Sequence, residues 1–277
     1  MSFAATVADK SSAAHAAVGG VPLDRRTEAQ VVRHLIEQSK KSEGGWVLPV
    51  NVDVCRQLRV DASARTAIEP ATLIVPDGMP LVWASRLLGQ PVPERVAGSA
   101  LIFSLSQAAA AAGRSIYLLG GAPGVADAAA ERLSQQFTGL KIVGTDCPPF
   151  GFERSATEVE AIRDRLLQAS PDVVYVGLGF PKQERLIASL IPVLPTAWFI
   201  SCGAAIGFAA GAQSRAPEWM RRSGLEWMHR LASEPRRLAK RYLVHDLPFA
   251  VRLLTGACMT RVARAMKSRA NSRRNEG

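Results

Sequence analysis

Residues 172–184 read Asp-Val-Val-Tyr-Val-Gly-Leu-Gly-Phe-Pro-Lys-Gln-Glu. The first part, 172–176, is a β-branched and aromatic run of strand length. Gly177 and Gly179 then supply a turn, and Pro181 suits a first helical turn, where a missing N–H costs nothing. An apolar strand leading through glycines into a helix is the pattern of a parallel strand buried on both faces. The same texture recurs at 46–50, 72–75, 115–119, 141–143 and 196–200, with helical periodicity between strands at 100–112, 125–137 and 157–168. The alternation predicts an α/β fold with a mostly parallel sheet covered by helices on both faces. Several strands end in turn chemistry: Pro76-Asp77-Gly78, Gly120-Gly121-Ala122-Pro123-Gly124, Gly177-Leu178-Gly179 and Cys202-Gly203. Ligands of open parallel sheets sit beyond the carboxyl ends of the strands, so a site is expected where these turns cluster.

Charge divides the chain. Residues 1–214 hold 19 Lys plus Arg against 19 Asp plus Glu, so the formal charge of +10 lies wholly in 215–277, with 15 basic and 5 acidic residues. A neutral body with a basic tail implies an anionic partner for the tail: nucleic acid, anionic lipid or phosphate groups. The tail reads as two amphipathic helices, 215–231 and 235–254, with Trp219, Trp227, Tyr242 and Phe249 on or near apolar faces, and a basic, frayed end at 261–277. At the other terminus the Ala- and Ser-rich segment is interrupted by Asp9 and Lys10 and has no apolar run of secretory-signal length, which predicts a loose extension. The expected organisation is an extension at 1–24, a core at 25–213, a helical appendage at 214–260 and a basic tail at 261–277.

Cys55, Cys147, Cys202 and Cys258 are widely spaced without CxxC or histidine at ligand spacing, so neither a disulfide framework nor a zinc site is expected, and a reducing compartment is. Residues 186–214 contain no charge and are long enough to cross a bilayer. Pro192 and Pro195 break the first third of that stretch. Gly203, Gly207 and Gly211 weaken the rest, although their spacing would also suit helix packing in lipid. The reading adopted is a buried strand at 196–200, a glycine turn and a short buried helix.

Three motifs carry candidate chemistry. Gly120-Gly121-Ala122-Pro123-Gly124 stands between a strand and a helix, where backbone amides can cradle a phosphate; a simple tight turn accounts for it equally well. Asp77 stands at a strand end, where a partly desolvated carboxylate can take a proton from a substrate hydroxyl; a turn or helix-cap aspartate is the plainer explanation. Lys182, Gln183 and Glu184 place a cation, an amide and a carboxylate at a helix start beside a glycine turn. No GxSxG, HExxH, Walker A or GxGxxG occurs, which disfavours serine hydrolase, metalloenzyme and dinucleotide oxidoreductase chemistry.

Taken together, the Asn51 segment, Pro76-Asp77-Gly78, Gly120-Gly121, the Pro181-Lys182-Gln183-Glu184 segment and the tail from Arg215-Ala216-Pro217 to Arg241-Tyr242 resemble the WecG/TagA/CpsF family of bacterial glycosyltransferases. The resemblance runs from about residue 47 to 243. It implies a Rossmann-like core and an inverting transfer from a UDP-sugar to a saccharide on polyprenyl diphosphate, in surface or exopolysaccharide synthesis. The work would be done at the cytoplasmic membrane face, with no cofactor and no required metal. The general base falls on Asp77. Donor contacts fall on Asn51, Gly120, Gly121, Gln183 and Glu184, and the strand-end glycines Gly177 and Gly179 belong to the same donor loop. Diphosphate contacts fall on Arg230, Arg237 and Lys240. The appendage would dock on anionic membrane and close the site, leaving Arg252, Arg261, Arg264, Lys267 and Arg269 for lipid headgroups.

Two positions depart from the family pattern: Pro49 stands where Thr is usual, and Lys240 where Arg is commoner, a point charge in place of a fork. Oligomeric state is left open, a homo-oligomer included. The rival class is a nucleic-acid-binding protein using the basic tail. The tail's alternation of Arg with bulky apolar residues argues against it.

Overall fold

The computed structural model describes residues 15–275. Six strands form one all-parallel sheet. In chain order they are β3 (Gly45–Val50), β4 (Leu73–Pro76), β5 (Ser115–Gly120), β6 (Lys141–Asp146), β7 (Val173–Gly177) and β8 (Trp198–Ser201). Across the sheet the order is β4-β3-β8-β7-β5-β6. Successive side chains alternate between two cores. Trp46, Leu48, Val50, Val174, Val176 and Phe199 enter one; Val47, Val173, Tyr175, Trp198 and Ile200 enter the other. Both faces are covered, and that is why these strands read as unbroken apolar runs. The first core is closed by α2 (Val52–Val60), α3 (Ala62–Ala67), α4 (Met79–Leu87), α7 (Ala156–Ala169) and α8 (Lys182–Leu190). The second is closed by α1 (Glu28–Lys40), α5 (Gly98–Ala112), α6 (Val125–Gln136) and α9 (Ala205–Ala209). Within the uncharged stretch 186–214, Trp198–Ser201 is a buried strand and Ala205–Ala209 a short helix, while Pro192, Pro195 and Thr196 are exposed; no helix among the described residues is long and apolar enough to cross a membrane.

Local signals set the element ends. Thr27 and Gln30 form a reciprocal capping box at the start of α1. Asn51 caps α2 by accepting from the Val54 N–H at 3.0 Å. Pro49 is tolerated inside β3 because it lies past Val47↔Ile200, the last recorded pair with β8.

The terminal segments depart from expectation. Residues 15–24 are not a loose extension. β1 (His15–Val18) and β2 (Val21–Asp24) form an antiparallel hairpin over a Gly19-Gly20 turn, both glycines at positive φ. Ala16, Val18, Val21 and Leu23 are buried in the first core, and burial of those alternating residues is what orders the segment. Residues 1–14 of the expected extension lie outside the described residues. The expected helix 215–231 is broken at Gly224 (φ +79) into α10 (Glu218–Ser223) and α11 (Glu226–Ser233). A Cβ at Gly224 would lie 2.6 Å from Met79 Cγ, so the break brings the appendage onto α4. The expected helix 235–254 is α12 (Pro235–Ala239), a π-helical stretch Lys240–Asp246, and α13 (Leu247–Asn275). Helix α13 runs through the end expected to fray, because Leu253 and Ala257 anchor it in the first core.

Candidate active site at the strand ends

The carboxyl ends of β3, β4, β5, β7 and β8 bring together Asn51, Asp77, Gly121, Gly179 and Cys202. Three strands meet here backbone to backbone. A Cβ on Gly120 (φ +119) would lie 2.5 Å from the Gly177 carbonyl oxygen, and one on Gly177 would lie 2.7 Å from that of Gly203. The Gly121 N–H donates to the same Gly177 carbonyl at 3.3 Å. Only glycine permits this approach. The turn that follows feeds α6 from Gly124, with no side chain capping the helix start. Amides at such a start are suited to an anion.

Asp77 lies one residue past β4, and its N–H extends the ladder to the Val50 carbonyl at 2.8 Å. Its carboxylate does not cap α4, whose N-cap, Gly78, makes no side-chain cap hydrogen bond. Instead it faces the Arg95 guanidinium at 3.9 Å, keeping 27% of its side chain exposed. Burial raises its pKa above the ordinary carboxylate value. The opposing pull of Arg95 comes next, then the push of the Glu226 carboxylate, then the weaker pull of Arg230. Arg95 Nη1 donates to Glu226 Oε2 at 2.6 Å, so the cation closest to Asp77 is held by the appendage. Sequence reasoning gave no role to Arg95 or Glu226: Arg95 stands in no motif, Glu226 lies within the tail segment without a role of its own, and only the packing of α11 against the rim unites them.

The diphosphate candidates separate. Arg230 reaches the Asp77 environment, with its guanidinium 5.8 Å from the Phe208 ring centroid. Arg237 is exposed and paired with Glu234, and Lys240 is exposed at the start of the π-helical stretch. Arg241 is instead turned onto the core, 3.8 Å from Asp53 and 3.7 Å from Asp246. Arg56 completes that cluster, 2.6 Å from Asp53 and 3.6 Å from Asp246. Burial and the neighbouring Asp53 push Asp246 up to about 6.

Gln183 and Glu184, to which the resemblance gives donor contacts, lie buried beneath the Leu178–Gly179 loop. Gln183 is 6% exposed and Glu184 0% exposed. Gln183 Oε1 accepts the N–H groups of Leu178 (3.2 Å) and Gly179 (3.0 Å), and its Nε2 donates to Glu184 Oε1 at 2.7 Å. Beside Glu184 lies the Ser201 hydroxyl, which takes the Trp46 indole N–H at 3.0 Å. Glu184 Oε2 is buried without a hydrogen-bond partner, and burial pushes the carboxyl up to about 7. These two residues brace the Leu178–Gly179 loop from below. Their polarity was legible in the sequence, but their inward orientation depends on how α8 packs on β7 and β8. Asn51 likewise commits its Oδ1 to the α2 cap, leaving its NH₂ for a ligand. Among the described residues no group of three or more His, Cys, Asp or Glu converges as a metal site.

A glycosyltransferase family model, described as the WecG/TagA/CpsF family, matches residues 16–263. Relatives named N-acetylglucosaminyldiphosphoundecaprenol N-acetyl-beta-D-mannosaminyltransferase agree. The Bacillus spizizenii protein is 29% identical over 71% of this chain and 74% of its own, and that of Bacillus subtilis strain 168 is 29% identical over 73% and 76%. The Staphylococcus aureus strain MW2 protein is 26% identical over 85% and 91%. A match of that extent, laid over a parallel sheet whose rim gathers Asp77, the glycine turns and an Arg-bearing appendage, shows that the chain belongs to the WecG/TagA/CpsF family of glycosyltransferases.

Proposed function

We propose that this glycosyltransferase moves a hexosyl or N-acetylhexosaminyl group, with inversion, from a UDP-sugar to a saccharide carried on polyprenyl diphosphate. The product enters surface or extracellular polysaccharide, and the work is done at the inner face of the cytoplasmic membrane. The relatives' names, which specify a lipid-diphosphate acceptor, support the acceptor class.

The observation that carries the reading is Asp77, a carboxylate at the strand-end rim 3.9 Å from the Arg95 guanidinium, with its pKa raised by burial. An acceptor hydroxyl is a far weaker acid than a carboxyl, so its proton must be taken as its oxygen attacks the anomeric carbon; a more basic carboxylate does this better. The bond to the diphosphate breaks in the same displacement, and UDP leaves with added negative charge. Gly120, Gly121, Gly177 and Gly179 shape the donor loop, Asn51 offers its amide, and Arg230 meets the departing charge, joined by Arg237 and Lys240 when the appendage closes. A well-placed donor of this kind is worth roughly 10²–10³ in rate by analogy with oxyanion holes. The chemistry calls on no metal, because side-chain cations answer the diphosphate.

Membrane contact falls to α13. Leu247, Val251, Val262 and Met266 recur at helical spacing on its exposed side, opposite the buried Leu253 and Ala257. Arg252 and Arg261 are exposed there for anionic headgroups. Arg264 also donates to the Leu88 carbonyl at 3.2 Å, and the side chains of Lys267 and Arg269 lie outside the described residues. The nucleic-acid alternative fits less well: Arg237 and Arg241 are bound to carboxylates and Arg230 lies over an aromatic ring.

The test is Asp77→Asn. Transfer to a short-chain lipid-diphosphate acceptor should vanish while UDP-sugar binding, followed by calorimetry, stays near wild type. Full transfer activity in the variant would remove Asp77 as base.

A further inference from the structure

Phe150 is 100% exposed, on the loop between β6 and the buried Phe152. A phenyl ring held wholly in water on a loop that follows a strand end calls for an occupant. Its position is defined by the sheet. β6 and β7 flank β5, so the loop after β6 and the start of α8 after β7 stand on either side of the glycine turn that ends β5. The two sides are tied across that turn. Cys147 Sγ lies 3.3 Å from the Gly121 carbonyl oxygen, and Lys182 Nζ lies 5.2 Å from the Phe150 centroid and 5.8 Å from that of Phe152. The loop that carries Phe150 is thus held against the turn whose amides suit a diphosphate, with the Lys182 ammonium group beside its ring.

We infer that Phe150, steadied by Lys182, is the stacking platform for the nucleobase of the nucleoside diphosphate donor. The inference rests on the donor reading above and adds the residue that recognises its base. A planar base offers a π-face to a phenyl ring, and the cation beside the ring is placed to meet a base carbonyl or phosphate oxygen. Neither a sugar nor a lipid chain makes equal use of both groups.

The test uses the full chain and titration calorimetry with two probes, UDP and inorganic pyrophosphate. Phe150→Ala should weaken UDP by about 5- to 150-fold, the range for loss of one base–aromatic stack, while pyrophosphate affinity changes less than about twofold. Phe150→Trp should retain UDP binding, which separates stacking from a general disturbance of the loop. The platform is overturned if Phe150→Ala binds UDP as wild type does, if pyrophosphate is lost in parallel, or if the variant loses only its binding to anionic vesicles. A wild-type protein that binds pyrophosphate but gains nothing from the nucleoside also overturns it. One that binds neither probe brings down the donor reading as well.

Discussion

Glu184→Gln isolates the buried carboxyl beneath the donor loop. The substitution keeps the shape, keeps an oxygen to accept from Gln183 Nε2, and places an NH₂ toward the position where Oε2 is unpartnered. In the wild type, burial raises the carboxyl from 4.5 to about 7, which at 1.36 kcal/mol per unit is roughly 3 kcal/mol against ionisation in the fold. Below about pH 4.5 the group is protonated in both folded and unfolded chains. As pH rises toward 7 the unfolded chain ionises freely and the fold does not, so stability is lost through that window and the loss is complete above it. Between pH 5 and pH 8 the linkage integrates to about 2.5 kcal/mol. Urea unfolding of both proteins at the two pH values should show a wild-type decline exceeding that of Glu184→Gln by about this amount. Asp77 and Asp246, also raised, titrate in both proteins and cancel from the comparison. Equal pH slopes within about half a kcal/mol would refute the idea that this carboxyl is held neutral by the fold.

Two further outcomes follow from the geometry. Gly120→Ala sets a Cβ 2.5 Å from a backbone oxygen at φ +119; it should cost about 2–4 kcal/mol, lowering Tm by roughly 5–15 °C in calorimetry, while an unchanged Tm would mean the strand ends can part. The double substitution Val251→Asp, Val262→Asp changes only exposed positions, and should cut co-sedimentation with anionic vesicles by about tenfold or more with Tm unaffected; unaltered partitioning would place the membrane contact elsewhere.

The strands were legible because both faces of the sheet are buried, which removes polar alternation and leaves compact apolar runs ending in glycine. Their order was not. β8 is last in the chain yet lies between β3 and β7, and nothing local in 196–200 specifies those neighbours. The hairpin at 15–24 had its signal, two glycines between alternating apolar residues, but it was masked by the Ala-rich context. Its stability comes from burying Ala16, Val18, Val21 and Leu23 in the first core with Cys55 and Leu253, residues remote in sequence. Asp77 drew notice by its type and place, but those alone favoured a turn or cap aspartate, and its role as base came from the resemblance. Arg95 and Glu226 drew no notice, because a cation in a loop and an acid on an exposed-looking helix acquire meaning only through the 2.6 Å contact between them.

That contact connects the charge division of the chain to its chemistry. Glu226 and Arg230 stand four apart on α11, so they share one face of the helix, and both act on Asp77. Arg95 lies 2.6 Å from Glu226 and 3.9 Å from Asp77, so its charge is shared with the appendage rather than spent on the base. An undocked appendage would leave Arg95 to pair with Asp77 alone, and the pKa of the base would fall. Under the proposed mechanism the observed arrangement would serve two ends: Glu226 holds Arg95 and its charge raises the pKa of Asp77, and Arg230 would receive the leaving group's charge. On that reading a core with no net charge suffices, because the appendage would bring the activating charge to the rim as it covered the site and excluded water.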